Sequence, residues 1–420
     1  MNILKFITAG SVDDGKSTLI GRLLYDSKAV SHDILHTLEH QSRNKADGEL
    51  DLSLLTDGLR AEREQGITID VAYKYFSTPQ RKFIIADAPG HVQYTRNMVT
   101  GASNADLAII LVDARQGVVE QTHRHSLIAS LMEIPHIVLA INKLDLVGYS
   151  EAQFYKIAAD YQKLAAKLGI DNVTFIPISA LAGDNVVEPS ANMPWYTGPT
   201  LLHHLENVAL QPEAENDAPR FQVQYVIRPK SDDLHDYRGY AGSLRSGTFR
   251  RGDQVVVLPA GIETQITAIE VNQVQVEEAF APQPLVLHLA DDIDISRGDA
   301  IARIDAQPIV SQDLEATLCW MSERPLRAGD KLLLRQNSAT VKAIVKTIEH
   351  RVDVHSFEQQ ASETLQLNDI GLVRLRTAQP LVFDAYHENR HSGGFILINE
   401  NTHDTVAAGL LQNSSVADFA

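Results

Sequence analysis

The chain has 420 residues, of which 44% are hydrophobic and 22% are charged. This length and composition are typical of a globular protein with two or three domains, and they exclude a disordered chain and a small disulfide-stapled scaffold. The 54 acidic residues outnumber the 37 basic ones and give a net charge of -17, which argues weakly against a nonspecific nucleic-acid-binding protein. The single cysteine, Cys319, excludes an intramolecular disulfide and suits a reducing cytoplasm.

Hydrophobic stretches in this sequence are short. The N-terminal apolar run meets Asp13 and Asp14 too early for a signal peptide, and the longest runs, such as Leu107–Val112, have the length of a strand rather than of a membrane span. We therefore expect a soluble, cytoplasmic protein that has no membrane partner.

The first half of the chain alternates short apolar runs with helical patterns. Apolar residues at helical spacing predict a helix that begins near Lys16, and further helices over Val118–Met132 and Glu151–Leu168. Because strands that alternate with helices form a mostly parallel sheet covered on both faces, we expect a doubly wound α/β domain. The predicted buried strands are Phe6–Ala9, Phe83–Ala86, Leu107–Val112, Ile137–Ile141 and Phe175–Ile178.

The composition becomes that of a linker at residues 211–219. Beyond it, helical periodicity largely stops and strand-like runs recur between glycine-rich turns, as in small β-barrels; a second break lies near residues 306–308. We therefore predict an α/β domain over residues 1–212, followed by β-barrel domains over residues 217–307 and 311–420. The strand-like runs of the first barrel include Phe221–Ile227, Gln254–Leu258, Thr264–Val271 and Pro284–Leu289.

A glycine-rich loop between the first strand and the first helix fits the pattern G-x-x-x-x-G-K-[ST]. Its glycines, Gly10 and Gly15, let backbone N–H groups converge on phosphate oxygens, and the helix N-terminus adds further donors. Lys16 would lie between the β- and γ-phosphates, and the Ser17 hydroxyl could ligate Mg²⁺. We expect the Lys16 side chain to face solvent when no phosphate is bound. The predicted phosphate-binding residues are Gly10, Ser11, Val12, Asp13, Asp14, Gly15, Lys16, Ser17 and Thr18.

Residues 27–66 form a long polar connection, and Thr68 follows it in the run Gly66-Ile67-Thr68-Ile69. A connection of that length inside a compact domain is usually functional. Thr68 is the candidate to reach Mg²⁺ and the γ-phosphate. A segment that becomes ordered only around that phosphate would act as a switch.

The next motif is Asp87-Ala88-Pro89-Gly90 at a strand end, with His91 directly after it. A carboxylate at the tip of a strand can hold Mg²⁺ through water, and the Gly90 N–H can sense the γ-phosphate. A single histidine is more often a surface residue than a catalyst, but the position of His91 favours a role in orienting the attacking water. The expected catalytic residues are His91, Thr68 and Lys16, and the expected metal ligands are Ser17, Thr68 and Asp87. The other histidines, including His123, His125, His203 and His204, are predicted to be solvated, without metal-ligand spacing.

The motifs that follow two further predicted strands indicate which base is bound. Guanine presents N1–H and an exocyclic amine side by side, and the Asp145 carboxylate in Asn142-Lys143-Leu144-Asp145 can accept from both. Adenine has an acceptor at N1, which would face that carboxylate repulsively. The turn Ser179-Ala180-Leu181 can present backbone N–H groups to guanine O6. The expected cofactors are therefore GTP or GDP with Mg²⁺, contacted by Asp87, Ala88, Pro89, Gly90, His91, Asn142, Lys143, Asp145, Ser179, Ala180 and Leu181 in addition to the phosphate loop.

With these motifs, the chain resembles the translation-factor class of GTPases, related to elongation factor Tu, over essentially all of its length. The glycines and Arg-Gly-Asp turns at Gly242, Gly247, 251–253 and 296–299 match the second domain of that class. Within the class, the chain is similar to the large, GTP-hydrolysing subunits of bacterial heterodimeric ATP sulfurylase. Ser11 stands where translation factors typically have histidine. The narrower resemblance is carried by residues 10–18, 57–73 and 193–196.

This resemblance implies that GTP hydrolysis drives and activates a smaller catalytic subunit, which transfers the adenylyl group of ATP to sulfate and releases diphosphate. It implies a heterodimer or a dimer of heterodimers, with no nucleic-acid partner. Some relatives carry a fused adenylylsulfate kinase with a second phosphate loop, and several begin with an extra N-terminal segment. Because no second loop pattern occurs before Ala420, we expect no fused kinase here. We also expect no extra N-terminal segment.

The alternative from another class is a translation-factor GTPase that delivers a tRNA or acts in ribosome rescue. A tRNA partner should bind with a steep salt dependence, whereas a sulfurylase subunit should co-purify with another protein. A stand-alone regulatory GTPase is disfavoured by the two appended barrels.

Overall fold

The computed structural model of the protein describes residues 3–28, 52, 71–89, 95–210, 218–229 and 237–413. The chain divides into two compact units, one of Met1–Leu210 with Val354–Glu358 and the other of Gln211–Asp353 with Gln359–Ala420. Within the described residues, every helix is too short or too polar to cross a membrane. The finer division predicted at residues 212–217 and 307–311 stays a prediction.

A six-stranded sheet forms the centre of the first unit, with the strand order β2-β3-β1-β4-β5-β6. All neighbouring strands are parallel except β2, which pairs antiparallel with β3 at the edge. Every residue of β4 is buried, as expected for a strand covered on both faces. The predicted doubly wound α/β fold is confirmed. The strands are β1 Ile3–Ala9, β2 Ala72–Ser77, β3 Lys82–Asp87, β4 Leu107–Asp113, β5 His136–Asn142 and β6 Val173–Pro177.

The described helices of this unit pack one apolar face against the sheet. Leu19 and Leu23 of the first helix are fully buried in a cluster with Phe6 of β1. Ser150 caps the fourth helix because its hydroxyl accepts a hydrogen bond from the N–H of Gln153 at 3.2 Å. The helices are α1 Lys16–Asp26, α2 Thr95–Ala102, α3 Glu120–Leu131, α4 Glu151–Lys167 and α5 Leu201–Asn207, with a 3₁₀ helix at Leu144–Val147.

The sequence analysis missed one strand of this unit and placed one buried histidine in solvent. Strand β2 was not predicted, because its exposed Tyr73 and Tyr75 interrupt the apolar pattern of a buried strand; an edge strand needs little burial. His125 on α3 is not solvated but 2% exposed. Burial, followed by the charges of Lys16 and Arg124, lowers the pKa of His125 to about 3, so this histidine is neutral at physiological pH.

Two closed β-barrels make up the second unit, as predicted. In the first, the ring β10-β15-β7-β8-β14-β11 closes through pairing of β10 with β11; in the other, the ring β18-β23-β24-β16-β22-β19 closes through β18 and β19. Closure pairs every strand of each ring with two neighbours and leaves the ring no edge. The first barrel contains β7 Arg220–Ile227, β8 Gly239–Ser246, β9 Thr248–Arg250, β10 Gln254–Leu258, β11 Ile262–Val271, β12 Val274–Val276, β13 Glu278–Phe280, β14 Gln283–Leu289 and β15 Ala300–Arg303.

Strands of the second barrel are longer, up to 14 residues in β19 and β22. Its apolar side chains form a separate cluster that includes Trp320, Phe383 and Phe395. The barrel contains β16 Ile309–Trp320, β17 Leu326–Arg327, β18 Lys331–Gln336, β19 Ala339–Val352, β20 Gln359–Gln360, β21 Thr364–Leu365, β22 Ile370–Phe383, α6 Arg390–Gly393, β23 Gly394–Ile398 and β24 Thr405–Leu411.

One turn geometry recurs four times in the two barrels. An aspartate carboxylate accepts a hydrogen bond from the backbone N–H three residues earlier, at 2.7–2.9 Å. The residue before each aspartate has a positive φ, which glycine adopts without strain and asparagine tolerates. This geometry is the physical reason for three Gly-Asp pairs and one Asn-Asp pair in the sequence. The pairs are Gly252-Asp253, Gly298-Asp299, Gly329-Asp330 and Asn368-Asp369.

A partly buried ion pair joins the two barrels. The guanidinium of Arg220 on β7 contacts the Asp384 carboxylate at 2.7 and 2.8 Å and donates to the carbonyl of Ala306 at 2.7 Å. Asp384 also accepts from the Ser392 hydroxyl at 2.5 Å. The sequence did not predict this pair, because its members are 164 residues apart in the chain.

We expect Arg220→Ala to lower the free energy of unfolding of this unit by about 3–5 kcal/mol, because it leaves the Asp384 carboxylate buried without its cation. The matched control is Arg303→Ala, which breaks the surface pair of Arg303 with Asp305. Urea denaturation of both variants measures the effect. Similar midpoints for the two variants would contradict the importance of the buried pair.

Candidate functional site

The predicted motifs meet at one edge of the first unit's sheet. The phosphate loop follows β1, Asp87 ends β3, Asn142 ends β5 and Ser179 follows β6. Because these strands are parallel, their carboxyl ends lie at the same edge, where ligands of open α/β sheets bind. The fold thus brings together four motifs that are far apart in the sequence.

The phosphate loop needs glycine at Gly15 for two reasons. Its φ of 93° lies in the left-handed region, and a Cβ at this position would lie 2.5 Å from Nδ2 of Asn142. Within the loop, the Asp14 carboxylate accepts the N–H of Ser11 at 2.5 Å. Burial raises the pKa of Asp14, while the hydrogen bond from Ser11 lowers it. Val12 and Asp13 are exposed, so the loop presents an accessible outer surface.

Lys16, the first residue of α1, is buried, and the expectation that it faces solvent was wrong. Its ammonium donates to the carbonyls of Gly10 and Ser11, both at 2.8 Å. Burial lowers the pKa of Lys16, and the negative charges of Asp87 and Asp14 oppose that shift. In the buried position, these backbone carbonyls replace the water that would otherwise accept hydrogen bonds from the ammonium.

Oxygen donors suited to Mg²⁺ come from two elements of the site. Asp87 is 1% exposed and accepts a hydrogen bond from the Thr8 hydroxyl at 3.1 Å. Ser17 and Thr18 lie half-buried in the first turn of α1, and Ala88 and Pro89 are buried after β3. The described part of the chain contains no cluster of three or more His, Cys, Asp or Glu that could hold a metal by itself. Thr68, Gly90 and His91 lie outside the described residues.

Asn142 connects the phosphate loop to the turn after β6. Its Nδ2 donates to the carbonyl of Asp14 at 2.7 Å, and its Oδ1 accepts the N–H of Ala180 at 2.9 Å. Asn142 is 2% exposed, so both bonds are shielded from water. A buried backbone group without a hydrogen-bond partner destabilises the fold. The two hydrogen bonds of Asn142 therefore hold both loops in place.

Lys143 is held by a carboxylate that the sequence analysis missed. Asp113, at the end of β4, contacts Lys143 Nζ at 3.0 Å and accepts three hydrogen bonds from the Arg115 guanidinium at 2.6, 3.0 and 3.3 Å. Burial would raise the pKa of Asp113, but the hydrogen bonds from Arg115 and Lys143 lower it to about 2. Lys143 also donates to the carbonyl of Asp13. Asp113 shows the same signal as Asp87, a carboxylate at a strand end, and could have been found from it.

The Ser179-Ala180-Leu181 turn is held by Arg22, which the sequence analysis also missed. The Arg22 guanidinium, on α1, donates to the carbonyls of Ala180 and Leu181. Ser179 is fully buried and its hydroxyl accepts the N–H of Ala182 at 3.2 Å. The carbonyls of the turn therefore point to Arg22, and no local pattern in the sequence indicates this contact.

Two buried polar atoms in the site have no hydrogen-bond partner among the described residues: Asp145 Oδ1 and the Ser11 hydroxyl. Buried polar groups in folded proteins are nearly always paired, so unpaired ones at the ligand-binding edge of an α/β sheet point to a ligand. Asp145 is the residue that the sequence analysis assigned to the guanine base, and Ser11 belongs to the phosphate loop. The residues present therefore fit a guanine nucleotide.

Comparison with known proteins agrees with this site. The family described as elongation factor Tu GTP binding domain matches residues 1–212, and that described as GTP-eEF1A C-terminal domain-like matches residues 313–412. The chain is 50% identical to sulfate adenylyltransferase subunit 1 of Citrobacter koseri, over 98% of this chain and 86% of that protein. The chain belongs to the sulfate adenylyltransferase subunit 1 family of GTPases. This membership gives it a guanine-nucleotide-binding domain of the GTP-hydrolysing type.

Other members of the family are longer. The chain is 53% identical to the bifunctional enzyme CysN/CysC of Mycobacterium tuberculosis, over 97% of this chain and 67% of that protein. It is 49% identical to the bifunctional enzyme NodQ of Rhizobium meliloti, over 98% of this chain and 64% of that protein. The chain thus spans about two thirds of the length of these bifunctional relatives.

We expect Asp145→Asn to exchange guanine for xanthine specificity. Xanthine has a carbonyl where guanine has its amine, so the asparagine amide can donate to the carbonyl and accept from the ring N–H. A hydrogen bond to a charged group contributes roughly 1.5–3 kcal/mol, so GTP affinity should fall ~10-fold or more while XTP affinity rises. Competition binding of GTP and XTP measures the change. A variant that still prefers GTP would show that Asp145 does not contact the base.

Proposed function

We propose that this chain is the GTPase subunit of a sulfate adenylyltransferase, and that its GTP hydrolysis drives and activates a partner subunit. The partner transfers AMP from ATP to sulfate, forming adenosine 5′-phosphosulfate and diphosphate in cytoplasmic sulfate assimilation. The observation that carries this proposal is the 50% identity to a sulfate adenylyltransferase subunit 1 over 98% of the chain. The buried Asp145 Oδ1, which has no hydrogen-bond partner among the described residues, supports it from the structure.

The nucleotide would occupy the edge of the sheet where the four motifs meet. In this proposal the backbone of residues 10–18 holds the phosphates, and Lys16 exchanges its two carbonyl partners for phosphate oxygens. Asp145 accepts from the base, with Asn142 and Lys143 shaping its surroundings. The turn Ser179-Ala180-Leu181 would contact guanine O6 through the Leu181 N–H, because within the described residues the N–H groups of Ser179 and Ala180 already donate to the Asp184 carbonyl and to Asn142 Oδ1.

Mg²⁺ would be held by Ser17, Thr68 and Asp87, the last of them through water. When bound, the ion neutralises charge that develops on the phosphate oxygens during hydrolysis. Thr68 and the segment 87–91 then contact the γ-phosphate only before hydrolysis, which makes them the switch. We propose His91 as the residue that orients the attacking water.

Coupling to the partner requires that the partner distinguish the GTP state from the GDP state. A ligand shifts an equilibrium only by its differential affinity for two states, so the partner must bind the two switch conformations unequally. The four motifs account for one guanine nucleotide and leave no second phosphate loop for ATP in this chain. Adenylyl transfer is therefore assigned to the small subunit, in a heterodimer or a dimer of heterodimers without nucleic acid.

We expect His91→Ala to slow GTP hydrolysis far more than it weakens GTP binding, because orientation of water matters only as the reaction proceeds. General acid–base and positioning residues typically contribute about 10²–10⁴-fold to rate. Single-turnover hydrolysis, together with calorimetric titration of GTP, separates the two effects. An unchanged rate of GTP hydrolysis would show that His91 is not a catalytic residue.

Reconstitution with the cognate small subunit tests the whole proposal. The chain alone should hydrolyse GTP slowly and produce no adenosine 5′-phosphosulfate. With the small subunit, ATP and sulfate, GTP turnover should rise, and GTP should increase product formation. The Asp145→Asn variant provides the sharpest control, since product formation in its complex should respond to XTP instead of GTP.

Each result of that experiment bears on the proposal. A response that follows the nucleotide specificity of Asp145 assigns the activation to this site. If the small subunit changes neither GTP turnover nor sulfate adenylylation, the sulfurylase proposal fails. The translation-factor alternative would then be favoured by tRNA binding that weakens steeply as salt is raised.

A further inference from the structure

A hydrogen-bonded cluster centred on Asp184 adjoins the two segments to which we assign recognition of the base, residues 142–145 and 179–181. The Asp184 carboxylate accepts from the Tyr149 hydroxyl at 3.0 Å, the Ser190 hydroxyl at 2.5 Å and the Asn192 amide at 3.2 Å. Its backbone carbonyl accepts the N–H of Ser179 at 3.2 Å. Asp184 is therefore attached by its backbone to the Ser179 turn and by its side chain to Tyr149.

Tyr149 is in turn attached to the segment that carries Asp145. It is the second residue after the 3₁₀ helix Leu144–Val147, and its N–H donates to the carbonyl of Leu144 at 2.7 Å. Its φ of 55° lies in the left-handed region, which is unfavourable for an aromatic residue and must be maintained by its contacts. The Trp195 indole supplies one of these contacts by donating to the Tyr149 carbonyl at 3.1 Å.

Trp195 is itself fixed by aromatic packing. Its ring lies 5.3 Å from that of Phe154 and 6.3 Å from that of Tyr155, both on α4.

Burial, followed by the hydrogen bond and negative charge of Asp184, raises the pKa of the Tyr149 hydroxyl, with a smaller contribution from Asp145. Tyr149 therefore keeps its proton and remains a donor at physiological pH.

We propose that Tyr149 and Asp184 are positioning residues for guanine recognition. They hold the 3₁₀ helix that carries Asp145 at a fixed spacing from the Ser179 turn, so that one carboxylate meets both the ring N–H and the exocyclic amine of guanine. This inference rests on the proposed contact of Asp145 with the base. Neither residue touches the base itself.

A small displacement of Asp145 affects the two hydrogen bonds unequally. A bidentate contact requires both distances to stay within about 2.7–3.2 Å, so rotation of the carboxylate breaks one bond before the other. ITP lacks the exocyclic amine and uses only the ring N–H. The ratio of GTP to ITP affinity therefore reports the position of Asp145, whereas a change in folding stability alters both affinities together.

The test compares Tyr149→Phe with the wild-type chain in GTP and ITP binding. Loss of the hydroxyl should lower GTP affinity about tenfold and ITP affinity much less, because only the second hydrogen bond to the base is lost. Asp184→Ala should reduce the GTP preference in the same way. Asp184→Asn keeps an oxygen that can accept from Tyr149 and should retain more of the preference than Asp184→Ala.

Two tyrosines provide matched controls in the same domain. Tyr155→Phe removes an exposed hydroxyl from the aromatic packing around Trp195. Tyr196→Phe removes a half-buried hydroxyl that donates to the carbonyls of Phe175 and Pro199, at 3.3 and 3.0 Å. Both variants should keep the wild-type ratio of GTP to ITP affinity, even if Tyr196→Phe lowers thermal stability.

The outcomes separate the positioning role from the proposed function. Equal affinity of the wild-type chain for GTP and ITP would overturn the contact of Asp145 with guanine. A wild-type preference for GTP that Tyr149→Phe leaves unchanged, or a parallel fall in both affinities, would overturn the positioning role alone. A selective loss of the GTP preference in Tyr149→Phe and Asp184→Ala, with both controls unchanged, supports it.

Discussion

The side-chain amide of Asn142 is the contact on which the geometry of the site depends. It donates to the phosphate loop at Asp14 and accepts from the Ser179 turn at Ala180, and both bonds are buried. The close approach is possible because Gly15 has no Cβ, which would lie 2.5 Å from the amide nitrogen. One side chain at the end of β5 thus sets the distance between the phosphate-binding and base-binding parts of the site.

Charge is compensated locally within this framework. Lys16 is surrounded by carbonyls and by the carboxylates of Asp87 and Asp14, and Asp113 keeps its charge because Arg115 and Lys143 bind it. Buried charges are tolerated when they are paired and hydrogen-bonded. Among the described residues of the site, the buried polar atoms without a partner are Asp145 Oδ1 and the Ser11 hydroxyl, which belong to the base and phosphate motifs. In the described part of the site, the polar atoms without a partner thus belong to residues for which we propose contacts with a nucleotide.

The architecture of the two barrels is determined mainly by local turns and by closure of each ring of strands. The repeated turns each use a residue with positive φ and an aspartate that accepts from the backbone, so the hairpin connections are specified by a few residues. Closure of each ring then removes the exposed strand edges that open sheets must protect. The contacts between the barrels include the pair Arg220–Asp384, which satisfies charge only when both barrels are folded. Hydrogen bonds of Ser338 with Gln222 and of Asn389 with Ser246 also join them.

The sequence by itself determined the fold class, the family and the base for which the site is suited, because each depends on short motifs at strand ends or on the periodicity of apolar residues. The tertiary structure decided which side chains are buried and which distant groups they meet. Lys16 and His125 were expected in solvent but are buried. The Lys16 ammonium contacts the carbonyls of its own loop and interacts with the charge of Asp87, which lies on β3. The contacts of Arg22 and Tyr149 likewise join residues that no local pattern connects. Burial and long-range hydrogen bonds depend on which remote segments pack together, and a local pattern encodes only the preferences of its own residues.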